Sequence, residues 1–166
     1  MSTRIVPVER VSMTSTHSFS RVVAAIDSRI GHPDMKAFSQ AVSAAGSFAD
    51  VEALVQKATS GSDFMEFARF DLGEILRKEH GPGAPRVLRL VIGNPLIMRQ
   101  MLVHVHDAGS YAPVNVLIDE RSDGVHLSYD RMASLLMPYG SAEAMAVARD
   151  LDAKVETLLQ AAASGE

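Results

Sequence analysis

Three short stretches of this 166-residue chain gather the side chains with chemical potential. The first is His104-Val105-His106-Asp107. In an extended segment, residues two apart share a face, and both imidazoles could grip one metal ion. In a helix, which the run Leu96 to Val103 favours, the two rings point apart and cannot chelate together. No recognised third-ligand spacing accompanies them. The segment therefore reads as solvated histidines near a helix end, with a His104–His106 metal pair as the lesser alternative.

The second stretch is Gly93-Asn94-Pro95, which fits a strand-to-helix junction. Glycine allows a tight reversal, asparagine accepts from orphan backbone amides, and proline suits the first helical turn. Such amides, with the helix dipole behind them, also attract anions. Arg99, one turn onward, adds positive charge. The plain reading is a structural cap; the functional one is a site where Asn94 and Arg99 orient a small anionic ligand.

The third is Ser128-Tyr129-Asp130. Adjacent strand residues point to opposite faces, so hydroxyl and carboxylate do not form a nucleophile with its base. Tyr129 reads as half-buried in a sheet, and Asp130 as the cap of the following helix. His126 and Ser128 share a strand face and leave room for a small polar pocket. There is no Gly-x-Ser-x-Gly elbow, phosphate-loop lysine motif, dinucleotide fingerprint or calcium-loop pattern. Candidate ligand-binding residues are thus Asn94, Arg99, His126 and Tyr129, with catalytic residues and cofactor unassigned. Met98, Met101, Met132 and Met137 read as core, or as the lining of a flexible apolar pocket. Arg86 and Arg89, three apart in a strand, lie on opposite faces, and a carboxylate such as Asp119 or Glu66 is in prospect for one of them.

The elements that must position these residues follow from periodicity. Glu9 to Thr16 alternates as a half-buried strand. Ser18 caps a helix carrying Phe19, Val22, Val23, Ile26 and Ile30, with Gly31 as its stop. Pro33 opens a second helix and Ser47 with Asp50 a third; their apolar stripes need burial, and a sheet is the obvious acceptor. Phe64 to Phe70 is a strand, Gly73 to Glu79 a short helix, and Arg86 to Ile92 the most apolar strand, expected at the centre. Val114 to Glu120 and Val125 to Tyr129 form a hairpin turning at Ser122-Asp123-Gly124. Asp130 and Ser141 cap two closing helices, the second buried along Met145, Ala148, Leu151, Val155 and Leu158. The expectation is one α+β domain over 1–166, helices packed on a mixed sheet, in the order β-α-α-α-β-α-β-α-β-β-α-α.

Composition sets the outer bounds. Sixteen basic against twenty acidic residues leave a formal charge of −4, without the clustered positive charge that nucleic acid demands. The chain has no cysteine, which excludes disulfides, thiolate nucleophiles and cysteine-ligated metals. No run approaches the length of a membrane helix, and Met1-Ser2-Thr3-Arg4-Ile5-Val6 lacks the apolar core of a signal peptide. A cytoplasmic protein, with neither membrane nor nucleic-acid partners, is the expectation.

Leu90-Val91-Ile92-Gly93-Asn94-Pro95, then Ala112-Pro113-Val114-Asn115-Val116-Leu117-Ile118, then Gly124-Val125-His126-Leu127-Ser128-Tyr129-Asp130 together resemble the domain of unknown function 302 family. The resemblance covers residues 64–137, and 33–60 reads as a helical insertion relative to shorter members. Where members often carry Gly-Thr after Gly-Asn-Pro, this chain has Leu96-Ile97-Met98-Arg99, and His126 stands where an aromatic residue is common. The resemblance implies a compact α/β domain and a homodimer, and brings no activity with it. The functional expectation is a small-molecule-binding or accessory domain acting as a homodimer. The alternatives are a protein-interaction module and, behind it, a histidine-dependent or metal-assisted enzyme.

Overall fold

The computed structural model describes residues 3–165; Met1 and Ser2, part of the stretch read for a signal sequence, and Glu166 lie outside them. Five strands form one sheet: β1 (Arg10–Ser15), β2 (Met65–Asp71), β3 (Val87–Gly93), β4 (Val114–Arg121) and β5 (Gly124–Asp130). The helices are α1 (Phe19–Asp27), α2 (Met35–Ala44), α3 (Phe48–Thr59), α4 (Gly73–His80), α5 (Pro95–Leu102), α6 (Met132–Leu136) and α7 (Ala142–Ser164). The α+β class and the order of elements are as the periodicity predicts.

The sheet corrects the expected mixture of directions. Its order is β1-β5-β4-β3-β2, and every neighbouring pair is antiparallel. The chain reverses between each pair of neighbours that follow one another in sequence, and β1 joins the free edge of β5 head to tail. The parallel contact outside the strands is a lone bridge between Gly31 and Met65. β3 is an interior strand, but the middle position belongs to β4.

Alternation puts Leu88, Leu90 and Ile92 of β3 opposite Ile118, Val116 and Val114 of β4. These six share one core with Leu127 and Tyr129, with Phe19, Val22 and Ile26 of α1, and with Leu151, Val155 and Leu159 of α7. Each fully buried aliphatic side chain here contributes roughly 1.5–3 kcal/mol. The opposite face carries Arg89, Asn115, His126 and Ser128, none of which belongs to that hydrophobic core. An antiparallel sheet tolerates such a contrast between its faces, with polar side chains alternating outward.

Helix starts follow their caps: Ser18, Asp34, Ser47, Asn94 and Ser141 each accept from a backbone amide of the first turn. Three expectations change. Asp130 does not cap α6; it is still in β5, and its carboxylate takes two bonds from Arg10, at 2.6 and 2.8 Å. The cap arrives from α7, where Asp152 accepts from Met132 N (2.7 Å) and Ala133 N (3.1 Å). Nor does Gly31 stop α1, which ends at Asp27. Gly31 instead runs against α3, where a Cβ would lie 1.9 Å from the Ala58 carbonyl oxygen. The stripe of α2 meets α3 rather than the sheet, and no α2 residue is fully buried. Among the described residues, no helix is long and apolar enough to cross a membrane.

Candidate functional site

The end of the sheet where β3 finishes and β4 begins holds a small cleft with a cavity volume of about 60 Å³. Ile92 pairs with Val114 there, and α5 departs from the next residues. At Gly93 an added Cβ would sit 3.1 Å from the Pro113 ring, so glycine lets the incoming loop close tightly. Phe67 of β2, Met98 and Met101 of α5, Pro113, Leu151 of α7 and Asn94 line the space. It is an apolar cleft with one amide at its margin.

That amide is already committed. Asn94 Oδ1 accepts from Leu96 N at 2.9 Å, and its Nδ2 donates to the Asp63 carbonyl at 3.0 Å. Arg99 does not line the cleft; its guanidinium stacks on the Phe48 ring, 4.6 Å from the centroid. The structure thus places Asn94 and Arg99 on one short helix without converging them on one point. Met98 and Met101 are cleft residues, Met132 is fully buried core, and Met137 is 55% exposed.

Tyr129 lies two strands away and is enclosed, at 1% exposure. Its hydroxyl donates to Asp152 Oδ1 at 2.6 Å. Burial, then the neighbouring carboxylate, push the phenol far above its ordinary value, so it holds its proton. Burial also pushes the Asp152 carboxyl up, against the pull of the Tyr129 hydroxyl and two backbone amides. Every polar atom of this cluster is used internally, in keeping with the full pairing of buried side-chain N and O atoms among the described residues. His126 sits on the face opposite the core, its side chain 12% exposed and 2.8 Å from Asp123, sharing that face with the buried Ser128. The Arg86 guanidinium bonds Glu120 at 2.7 Å, rather than Asp119 or Glu66, and Arg89 lies over Phe70.

His104 and His106 are both exposed, at the end of α5 and the start of a 3₁₀ turn. Neither belongs to a convergent ligand set. Among the described residues, the three-residue group whose ligand atoms do converge is Asp27, His32 and Glu66, all within 4.8 Å of one another. Spacings of 5 and 34 residues carry no local signal for it. Asp152 did carry one, since it stands four residues after Ala148 and three before Val155 on a buried stripe.

A single antiparallel sheet, helices over one face and a cleft at the β3–α5 junction define a small α+β domain. The model for the family described as "Domain of unknown function DUF302" matches residues 39–162, and the chain belongs to that family. The fold is similar to the crystal structure of an uncharacterized conserved DUF302 protein from Bacillus stearothermophilus. The TM-score is 0.63 at 11% identity, with 92% of this chain and 97% of that one covered. Among curated proteins, none matches the sequence.

Proposed function

We propose that this chain is a small-molecule-binding domain that takes a largely apolar ligand in the β3–α5 cleft and acts as a homodimer. The observation that carries the reading is the cleft itself. Its cavity is small, about 60 Å³, and its lining is apolar apart from the Asn94 amide, so it suits a compact apolar group held by one polar contact. Methionines at 98 and 101 suit such a role because their unbranched side chains reshape around a guest. The narrower form of the proposal, an anionic ligand, draws on Arg99, which must leave the Phe48 ring to reach it. The same reading treats the protein as cytoplasmic, which cell fractionation checks.

Thermal unfolding in the presence of apolar and amphipathic metabolites is the test. A ligand at about one hundred times its Kd raises Tm by about 5 °C or more in a chain of this length. Met98→Trp fills the cleft and abolishes that rise. No rise with any member of the panel, or one that Met98→Trp leaves intact, counts against the proposal.

A second reading, an interaction module, draws on Phe70, Leu72 and Ile75, exposed along edge strand β2 and the start of α4. The homodimer uses the same resource: the part of the β2 edge beyond the Gly31 bridge at Met65, flanked by apolar side chains, favours pairing with a second copy. Sedimentation equilibrium at micromolar concentration should return twice the chain mass; a monomer contradicts that part.

A further inference from the structure

The cluster at Asp27, His32 and Glu66 lies apart from the cleft and has its own construction. Gly31 N donates to the Phe64 carbonyl at 2.9 Å, and Glu66 N donates back to the Gly31 carbonyl at 2.8 Å. This bridge pins the segment after α1 beside β2, so His32 meets Glu66. The register of β2 slips between Glu66 and Ala68. Such a bulge breaks the strict alternation of faces and re-aims side chains. Here Glu66 and Arg69 come onto one side together, facing Asp27 at the C-terminus of α1.

The imidazole is oriented as a ligand would be. His32 Nε2 donates to the Asp27 carbonyl at 3.0 Å, which puts the proton of a neutral ring on that nitrogen. Its other nitrogen, Nδ1, then directs a lone pair toward Glu66 Oε2, 3.6 Å away. Two acceptors facing one another need a cation or a proton between them. Metal-binding histidines commonly have this arrangement, one nitrogen held by a backbone carbonyl and the other left free. Two carboxylates meanwhile share a single positive partner, because Arg69 Nη2 bonds both Asp27 Oδ1 and Glu66 Oε2.

We infer that Asp27, His32 and Glu66 bind one divalent transition-metal ion of the zinc type, in competition with the Arg69 guanidinium. One imidazole nitrogen and two carboxylate oxygens suit Zn²⁺, Co²⁺ or Mn²⁺, with water filling the remaining positions. The ion neutralises both carboxylates and meets the Nδ1 lone pair; Arg69, about a third exposed on an edge strand, swings into solvent.

Titration calorimetry of the full chain with Co²⁺, and the visible absorption of the bound ion, test this. The expected result is one ion per chain, lost in His32→Ala and tightened about tenfold in Arg69→Ala, where the competing cation is gone. His32 has 44% of its side chain exposed, so its replacement leaves the fold intact, and circular dichroism verifies that. Absence of stoichiometric binding in the wild type overturns the inference, even if Arg69→Ala binds, because the guanidinium is then the natural occupant. Binding that His32→Ala does not alter, through the exposed His104 or His106 for instance, overturns it equally.

Discussion

The same end of the sheet carries two regions that look alike in sequence and differ in kind. Around Tyr129, a hydroxyl, a carboxylate and two backbone amides satisfy one another in a space with no room left over. Around Asn94, the polar atoms are equally satisfied, yet the side chains of Phe67, Met98, Met101 and Leu151 leave a cleft between them. The first arrangement holds the fold together, and the second leaves a vacancy in it. What separates structural from functional polarity here is unfilled apolar space, not the presence of reactive groups.

The largest effect that tests this contrast is Asp152→Ala. It strands the Tyr129 hydroxyl and two first-turn amides of α6 in a buried setting, and should cost about 3 kcal/mol in urea denaturation. A cost under about 1 kcal/mol would break the comparison. Tyr129→Phe removes one partner and keeps the ring's packing, so a loss of about 1–1.5 kcal/mol is expected in the same experiment. Met98→Trp, by contrast, should change stability by less than about 1 kcal/mol, because it enters space that is already open.

Much of the architecture was legible because it is written locally. Helix starts at Ser18, Ser47, Asn94 and Ser141 come from a cap residue and an apolar stripe a few positions away. What was not legible depends on residues brought together from afar. Asp130 has the right type and place to cap α6, but β5 continues through it and Arg10 claims it. Antiparallel pairing throughout, and the seating of α2 on α3, are decided by which surfaces are left after the core closes. The candidate site divides the same way: Gly93-Asn94-Pro95 marks its position, while Phe67, Pro113 and Leu151 supply walls that periodicity assigns only to a core.

A smaller effect sharpens the picture at the other end of β3. The Arg86 guanidinium, by hydrogen bonding above all, holds the Glu120 carboxyl below its ordinary value of 4.5. A carboxyl depressed in the folded state contributes stability that is present above the unfolded value and lost as pH falls through the folded one. Stability should therefore decline below about pH 4.5, and Glu120→Gln should flatten that decline slightly, the pair being partly exposed. An unchanged acid limb in denaturation curves at several pH values would remove this contribution.

The cleft itself is tested most directly by nuclear magnetic resonance of the chain carrying ¹³C-labelled methionine methyl groups, titrated with indole as a small apolar probe. Met98 and Met101 line the cleft, whereas Met132 is packed beside the Tyr129–Asp152 cluster. Saturable shifts of the Met98 and Met101 signals, with Met132 unmoved, are the predicted result. Signals that all stay in place, or that move together in proportion to probe concentration, would contradict it.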